Sequence, residues 1–241
     1  MPLNIEVTQF PNGVGTAKDN SVLNAVPLPI PGSSLAFDDL DQNSLFLTNW
    51  EAIAIAGGVT VTRPLSASGL LRQVTGGAGL DGNEYNATEG TVAPDIFETA
   101  VGAEAWFGAR VMLDVADLST LILGFVPEVS AIAPADGVYI RKASGATLVE
   151  LVVENNGAAQ SVVSLGNIEA DTWYEFAVYW DGIDKVSGQF VGPDGVVGGG
   201  GTITPGANLP AVGLSPTVTV AEGAAAAVTM DMDWVLFGGS R

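Results

Sequence analysis

The 241-residue chain contains no cysteine and no histidine. Without cysteine there is no disulfide framework, no thiolate metal site and no thiol nucleophile. Without histidine, Ser-His-Asp catalysis, imidazole-ligated zinc and the usual general base near neutral pH are excluded. Charge is also scarce: Asp, Glu, Lys and Arg make up 15% of the residues, against roughly 25% in an ordinary soluble chain. Basic residues are the scarcest, with 8 Lys and Arg facing 27 Asp and Glu for a formal net charge of −19. A surface of that sign repels phosphate backbones and anionic lipid, so neither nucleic acid nor a membrane is expected as a partner. No apolar run approaches the roughly 18 residues of a spanning segment. The opening Met1-Pro-Leu-Asn-Ile-Glu-Val7 lacks the basic and apolar regions of a signal peptide, and a protein made in a cytoplasm is expected.

What the chain does have is apolar and turn-forming residues: 47% are hydrophobic, and 31 glycines and 13 prolines punctuate the sequence. Residues 1–34 stand apart, with Pro2, Pro11, Pro27, Pro29 and Pro31. A stretch such as Val26-Pro-Leu-Pro-Ile-Pro-Gly32 predicts an extended arm, because each Pro fixes φ and lacks a donor. The arm carries only Glu6, Lys18 and Asp19, and its apolar Leu3, Ile5, Val7, Phe10, Leu28 and Ile30 have no core of their own. From Leu35 to the end, short β-branched and aromatic runs broken by Gly, Pro, Asn and Asp predict a single β-sandwich over 35–241. The clearest strands are expected at Ala52–Thr62, Ala105–Val115, Thr120–Val126, Gly137–Lys142, Ala146–Glu154, Gln160–Leu165, Thr172–Trp180, Val186–Val191 and Ala227–Phe237. Alternation places Tyr174, Phe176, Val178 and Trp180 on one face and Trp173, Glu175, Ala177 and Tyr179 on the other. In the last strand it groups Met230, Met232, Trp234 and Leu236 against Asp231, Asp233, Val235 and Phe237.

Few residues offer chemistry. Gly77-Ala-Gly-Leu-Asp-Gly82 fits the dinucleotide spacing, but no helix pattern follows it, so a loop is expected; Gly198–Gly201 is likewise read as a mobile loop. Glycoside hydrolysis needs two carboxylates across a cleft. The nearest string, Asp231-Met-Asp233, is explained as exposed alternation, and no enzyme activity is expected. Asp38-Asp-Leu-Asp41 and Asp181-Gly-Ile-Asp184 offer oxygens for calcium but read better as turns; neither a metal nor a cofactor is expected. Trp50, Trp173 and Tyr85 are eligible for stacking on sugar, although strand aromatics are more often core.

From about Trp106 onward the chain runs in order through Trp106–Leu113, Leu121–Phe125, Asp136–Lys142, Leu148–Asn155, Asp171–Gly182 and Val228–Phe237, and this order is similar to that of the concanavalin-like lectin/glucanase, or laminin-G-like, jelly roll, in the version found in structural proteins of tailed phages. The residues that carry the resemblance include Trp106-Phe-Gly-Ala-Arg-Val-Met-Leu113, Asp136-Gly-Val-Tyr-Ile-Arg-Lys142 and Asp171-Thr-Trp-Tyr-Glu-Phe-Ala-Val-Tyr-Trp-Asp-Gly182. Val228-Thr-Met-Asp-Met-Asp-Trp-Val-Leu-Phe237 closes the set. The resemblance implies an antiparallel two-sheet jelly-roll sandwich in a non-enzymatic virion protein, a decoration or cement protein on the outer capsid surface. Its partners would be the major capsid protein and its own copies in a homotrimer, with Ile5, Phe10, Leu28 and Ile30 of the arm as capsid contacts. The alternative is a carbohydrate-binding lectin-like module of a tail or head fibre, which would cluster exposed Trp or Tyr near one rim.

Overall fold

A computed structural model describes residues 50–56, 70–77, 79–87, 97–99, 102–127, 132–157, 160–193, 195–224 and 226–239, with the backbone alone at 7–9, 15–17, 33–38, 59–62 and 240. The arm holds a two-stranded hairpin of β1 (Val7–Gln9) and β2 (Gly15–Ala17). The strands that follow are β3 (Ser33–Asp38), β4 (Trp50–Ile55), β5 (Val59–Thr62), β6 (Leu71–Thr75), β7 (Gly82–Ala87), β8 (Ala105–Leu113) and β9 (Ser119–Val126). Then come β10 (Gly137–Lys142), β11 (Leu148–Glu154), β12 (Ser161–Asn167), β13 (Thr172–Trp180), β14 (Val186–Val191), β15 (Val197–Ile203), β16 (Ser215–Glu222) and β17 (Thr229–Ser240). Among the described residues the sole helical element is a 3-10 turn at Gly206–Asn208.

The strands form two antiparallel sheets, so the fold is the all-β sandwich expected from the sequence. The first sheet runs β12-β11-β10-β9-β16-β7-β4 and the second β15-β14-β13-β8-β17-β6-β5, with β3 also on β17. Every named pairing is antiparallel, and β9 to β12 and β13 to β15 are meanders in which each strand pairs with the next. Between the sheets lie Leu121, Leu123, Phe125, Val138, Ile140 and Leu151 from one side and Phe107, Val111, Tyr174, Phe176, Trp180 and Phe190 from the other, all buried. Tyr174 and Phe190 meet edge to face at 5.7 Å, and Trp50 meets Phe237 the same way at 5.7 Å, geometry that aromatic quadrupoles favour.

Three expectations are corrected. The run Ala52–Thr62 is two strands, β4 in the first sheet and β5 in the second, because Ala56 adopts a positive φ of 52° and ends the first. The alternation of the last strand breaks at a bulge between Met232 and Trp234. One extra residue there reverses the sides of all that follow, so Met230, Met232 and Val235 face the core while Trp234 and Leu236 face outward. Gly198–Gly201 is no loop but the middle of β15. A Cβ at Gly199 would overlap the Leu165 carbonyl oxygen, and one at Gly201 would collide with Val163, so the glycines let β15 lie against β12 where the two sheets meet. The pattern reading also passes over β16, which opens with Ser-Pro. Pro216 is tolerated because it pairs only with Phe125 of β9, and pairing with β7 begins one residue later, at Thr217.

Candidate functional site

The strands alternate, so each sheet has an outer face, and on the second sheet that face gathers aromatic and charged side chains. Register sets them in rows. Trp173 of β13 lies beside Met112 of β8, then Asp231 of β17, then Arg72 of β6; Glu175 lies beside Arg110, then Trp234. Ala177, Gly108 and Leu236 form the next row, and Tyr179 with Trp106 the last. Trp106, Ala177, Val191 and Leu236 are buried in a small cluster of their own, separate from the main core, against which the half-buried Tyr179 and Trp234 pack. The Trp234 ring occupies the space over Gly108, where an added Cβ would come within 3.3 Å of Cζ3. Trp173, Trp234 and Tyr179 are each half-buried.

The polar groups of this face are fixed by charge pairing. Arg72 donates through Nε to Oδ1 of Asp231 at 2.7 Å and through Nη2 to Oδ2 at 2.6 Å, while Asp231 is 3% exposed. This bidentate fork raises the Arg72 pKa above its ordinary value. Arg110 donates through Nη1 to Asp233, and its guanidinium carbon lies 4.9 Å from the centre of the Trp173 ring. Asp114 accepts the Thr229 backbone N–H at 2.7 Å. Arg72, Val74, Met112, Asp114, Asp171, Thr229 and Asp231 line a groove of about 340 Å³, and Met112 is the cross-strand neighbour of Trp173. Tyr179 has its pKa pushed up to about 12, first by burial and then by the Glu104 and Asp181 carboxylates.

The sequence expectations fall unevenly on this surface. Of the three eligible aromatics, Trp173 stands on the outer face, whereas Trp50 and Tyr85 are buried in the core. Tyr179, Trp234 and Arg110 join Trp173 there, and for Trp234 only the bulge puts it on that side. Asp231 and Asp233 are not exposed alternation: each is tied to an arginine from a different strand. Asp181 spends Oδ1 on the backbone N–H groups of Ile183, Asp184 and Lys185, which lower its pKa against the effect of burial. That carboxylate shapes the β13–β14 turn. Ile5, Phe10, Leu28 and Ile30, the expected capsid contacts, lie outside the described residues, as do Asp39 and Asp41.

No family model and no curated protein matches the chain. Solved structures do match in shape, and the sandwich is lectin-like. A protein of unknown function from Shewanella oneidensis MR-1 superposes with a TM-score of 0.60 at 13% identity, over 86% of this chain and 87% of that one. Peanut lectin, solved with a 9mer peptide, gives 0.56 at 10% identity over 86% and 97%. The CBM2 module of the evolved Dit of Lactobacillus casei BL23 phage J-1 gives 0.53 at 13% identity over 86% and 96%. At these identities the likeness defines the fold.

Proposed function

We propose that the chain is a non-enzymatic glycan-binding module and that the outer face of its second sheet is the binding surface. The observation that carries this reading is the gathering of three half-buried rings, Trp173, Trp234 and Tyr179, on one face next to a polar-walled groove. Sugar rings present C–H faces that lie on aromatic rings and hydroxyls that need fixed donors and acceptors. The ion pairs of Arg72 and Arg110 hold such groups in place. Two neighbours that fit this role, the lectin and the phage CBM2 module, support it by fold alone.

In a virion, the setting that the phage module supports, such a surface would attach the particle to host glycan. This shifts weight from the cement role, with the major capsid protein and a homotrimer as partners, to the lectin-like alternative. The test is binding of the full chain to an array of immobilised glycans. Specific binding that drops about tenfold in Trp173→Ala and in Trp234→Ala, with melting transitions retained, is the expected result. Absence of binding to any glycan, together with saturable binding to phage heads, would overturn it in favour of the cement role.

A further inference from the structure

The glycan reading, on which this inference rests, leaves the kind of glycan open, and the positions of the cations narrow it. Among the described residues Arg72 is closed onto Asp231, Arg110 onto Asp233 and, on the other sheet, Arg141 onto Glu150. Lys142 is fully buried, which leaves Lys185, in the turn after β13. An acidic sugar brings a carboxylate or sulfate, which an arginine meets with its fork; Asp231 already occupies that of Arg72, and Asp233 holds Nη1 of Arg110. The same face also presents Asp114, Asp171 and Glu175, so an anionic chain meets like charge along its length. A neutral sugar meets no such cost, because its hydroxyls donate to carboxylate oxygens.

Length is set by the strand. Trp173 and Tyr179 share one face of β13 six residues apart, a separation of roughly 20 Å, and Trp234 stands between their rows on β17. That span exceeds a single sugar ring.

We propose that this face binds an internal stretch of a linear, uncharged polysaccharide laid along β13 and rejects acidic chains. The test uses the full chain against neutral gluco-, galacto- and manno-oligosaccharides of one to six units and matched uronate, sialylated and sulfated series, at low salt. Affinity should tighten with length in a neutral series, by about two- to tenfold for each ring engaged, and acidic series should bind at least tenfold more weakly. Tyr179→Ala should shrink the gain with length, weakening the longer oligomers by more than the short ones. Asp233→Asn, which frees Arg110, should admit acidic oligomers while the melting transition is kept.

Acidic series bound as tightly as neutral ones, or affinity flat from one unit to six, would overturn this inference and leave the glycan reading standing. No binding to any series would overturn both.

Discussion

Arg110 lies over the ring of Trp173, its guanidinium carbon 4.9 Å from the ring centre, while the same guanidinium is bonded to Asp233. The bond to Asp233 holds the guanidinium in place against the indole. Arg110→Ala is expected to cost about 0.5–1 kcal/mol, the worth of a cation–π contact at a partly exposed site, or a few degrees in Tm. A red shift in tryptophan emission and a loss of glycan affinity several times larger than the stability loss would show that the arginine positions the ring. An unchanged affinity would reduce it to a surface pair.

Gln73 points into the core from β6, fully buried, and neither its Nε2 nor its Oε1 finds a partner among the described residues. An unmet amide in an apolar site is destabilising. Gln73→Met, close in shape, should therefore raise stability by about 1–3 kcal/mol, read as a higher Tm. A fall in Tm would mean that an ordered water or another group satisfies the amide.

Lys142 is fully buried at the end of β10, donating to the Ser119 carbonyl and, at 3.1 Å, to Ser119 Oγ. Burial pushes its pKa down to about 8 from 10.5, with Asp117 opposing. Between those values the unfolded chain holds more protons than the folded one, so stability should rise with pH from about 8. Burial first of all raises Tyr85 and Tyr179 to about 12, and Tyr139 is raised as well. From about pH 10 these phenols stay protonated when folded and ionise when unfolded, and stability should turn downward. Denaturant melts from pH 7 to 11 should show the maximum near 10, and Lys142→Met should flatten the rise while leaving the fall.

Much of the sandwich is legible in the sequence because the strands from β8 to β14 are short apolar, β-branched and aromatic runs, some of them alternating as β13 does, separated by Gly, Asp and Pro. Period two alone groups Tyr174, Phe176, Val178 and Trp180 on one face, and the structure turns that face inward. The site is less legible. Its rows are assembled from β6, β8, β13 and β17, strands up to 159 residues apart in the case of Arg72 and Asp231. No local spacing encodes such a pair. Trp234 was misplaced for a simpler reason: a bulge leaves no mark in a hydrophobic pattern, since Asp233 reads as one more alternating residue.

That bulge yields its own test. Asp233 is the extra residue between Met232, paired with Val111, and Trp234, paired with Arg110. Deleting Asp233 restores strict alternation and should give a folded protein with a cooperative melt. Deleting Val235 instead turns Phe237 away from Trp50 and the core, and should abolish folding. Equal damage from both deletions, seen by circular dichroism and melting, would refute the register.

The glycines of β15 have a consequence for how copies of this protein meet one another. An edge strand with unpaired amides is a template on which a second chain can add. Here β12 and β15, the last strands of their sheets on one flank, lie against each other at backbone distance, each shielding the other. Among the described strands, that flank is thereby closed to strand addition. Gly199→Val, which would wedge β15 off Leu165, should uncover the shielded flank and convert a monodisperse preparation into one that aggregates as it warms.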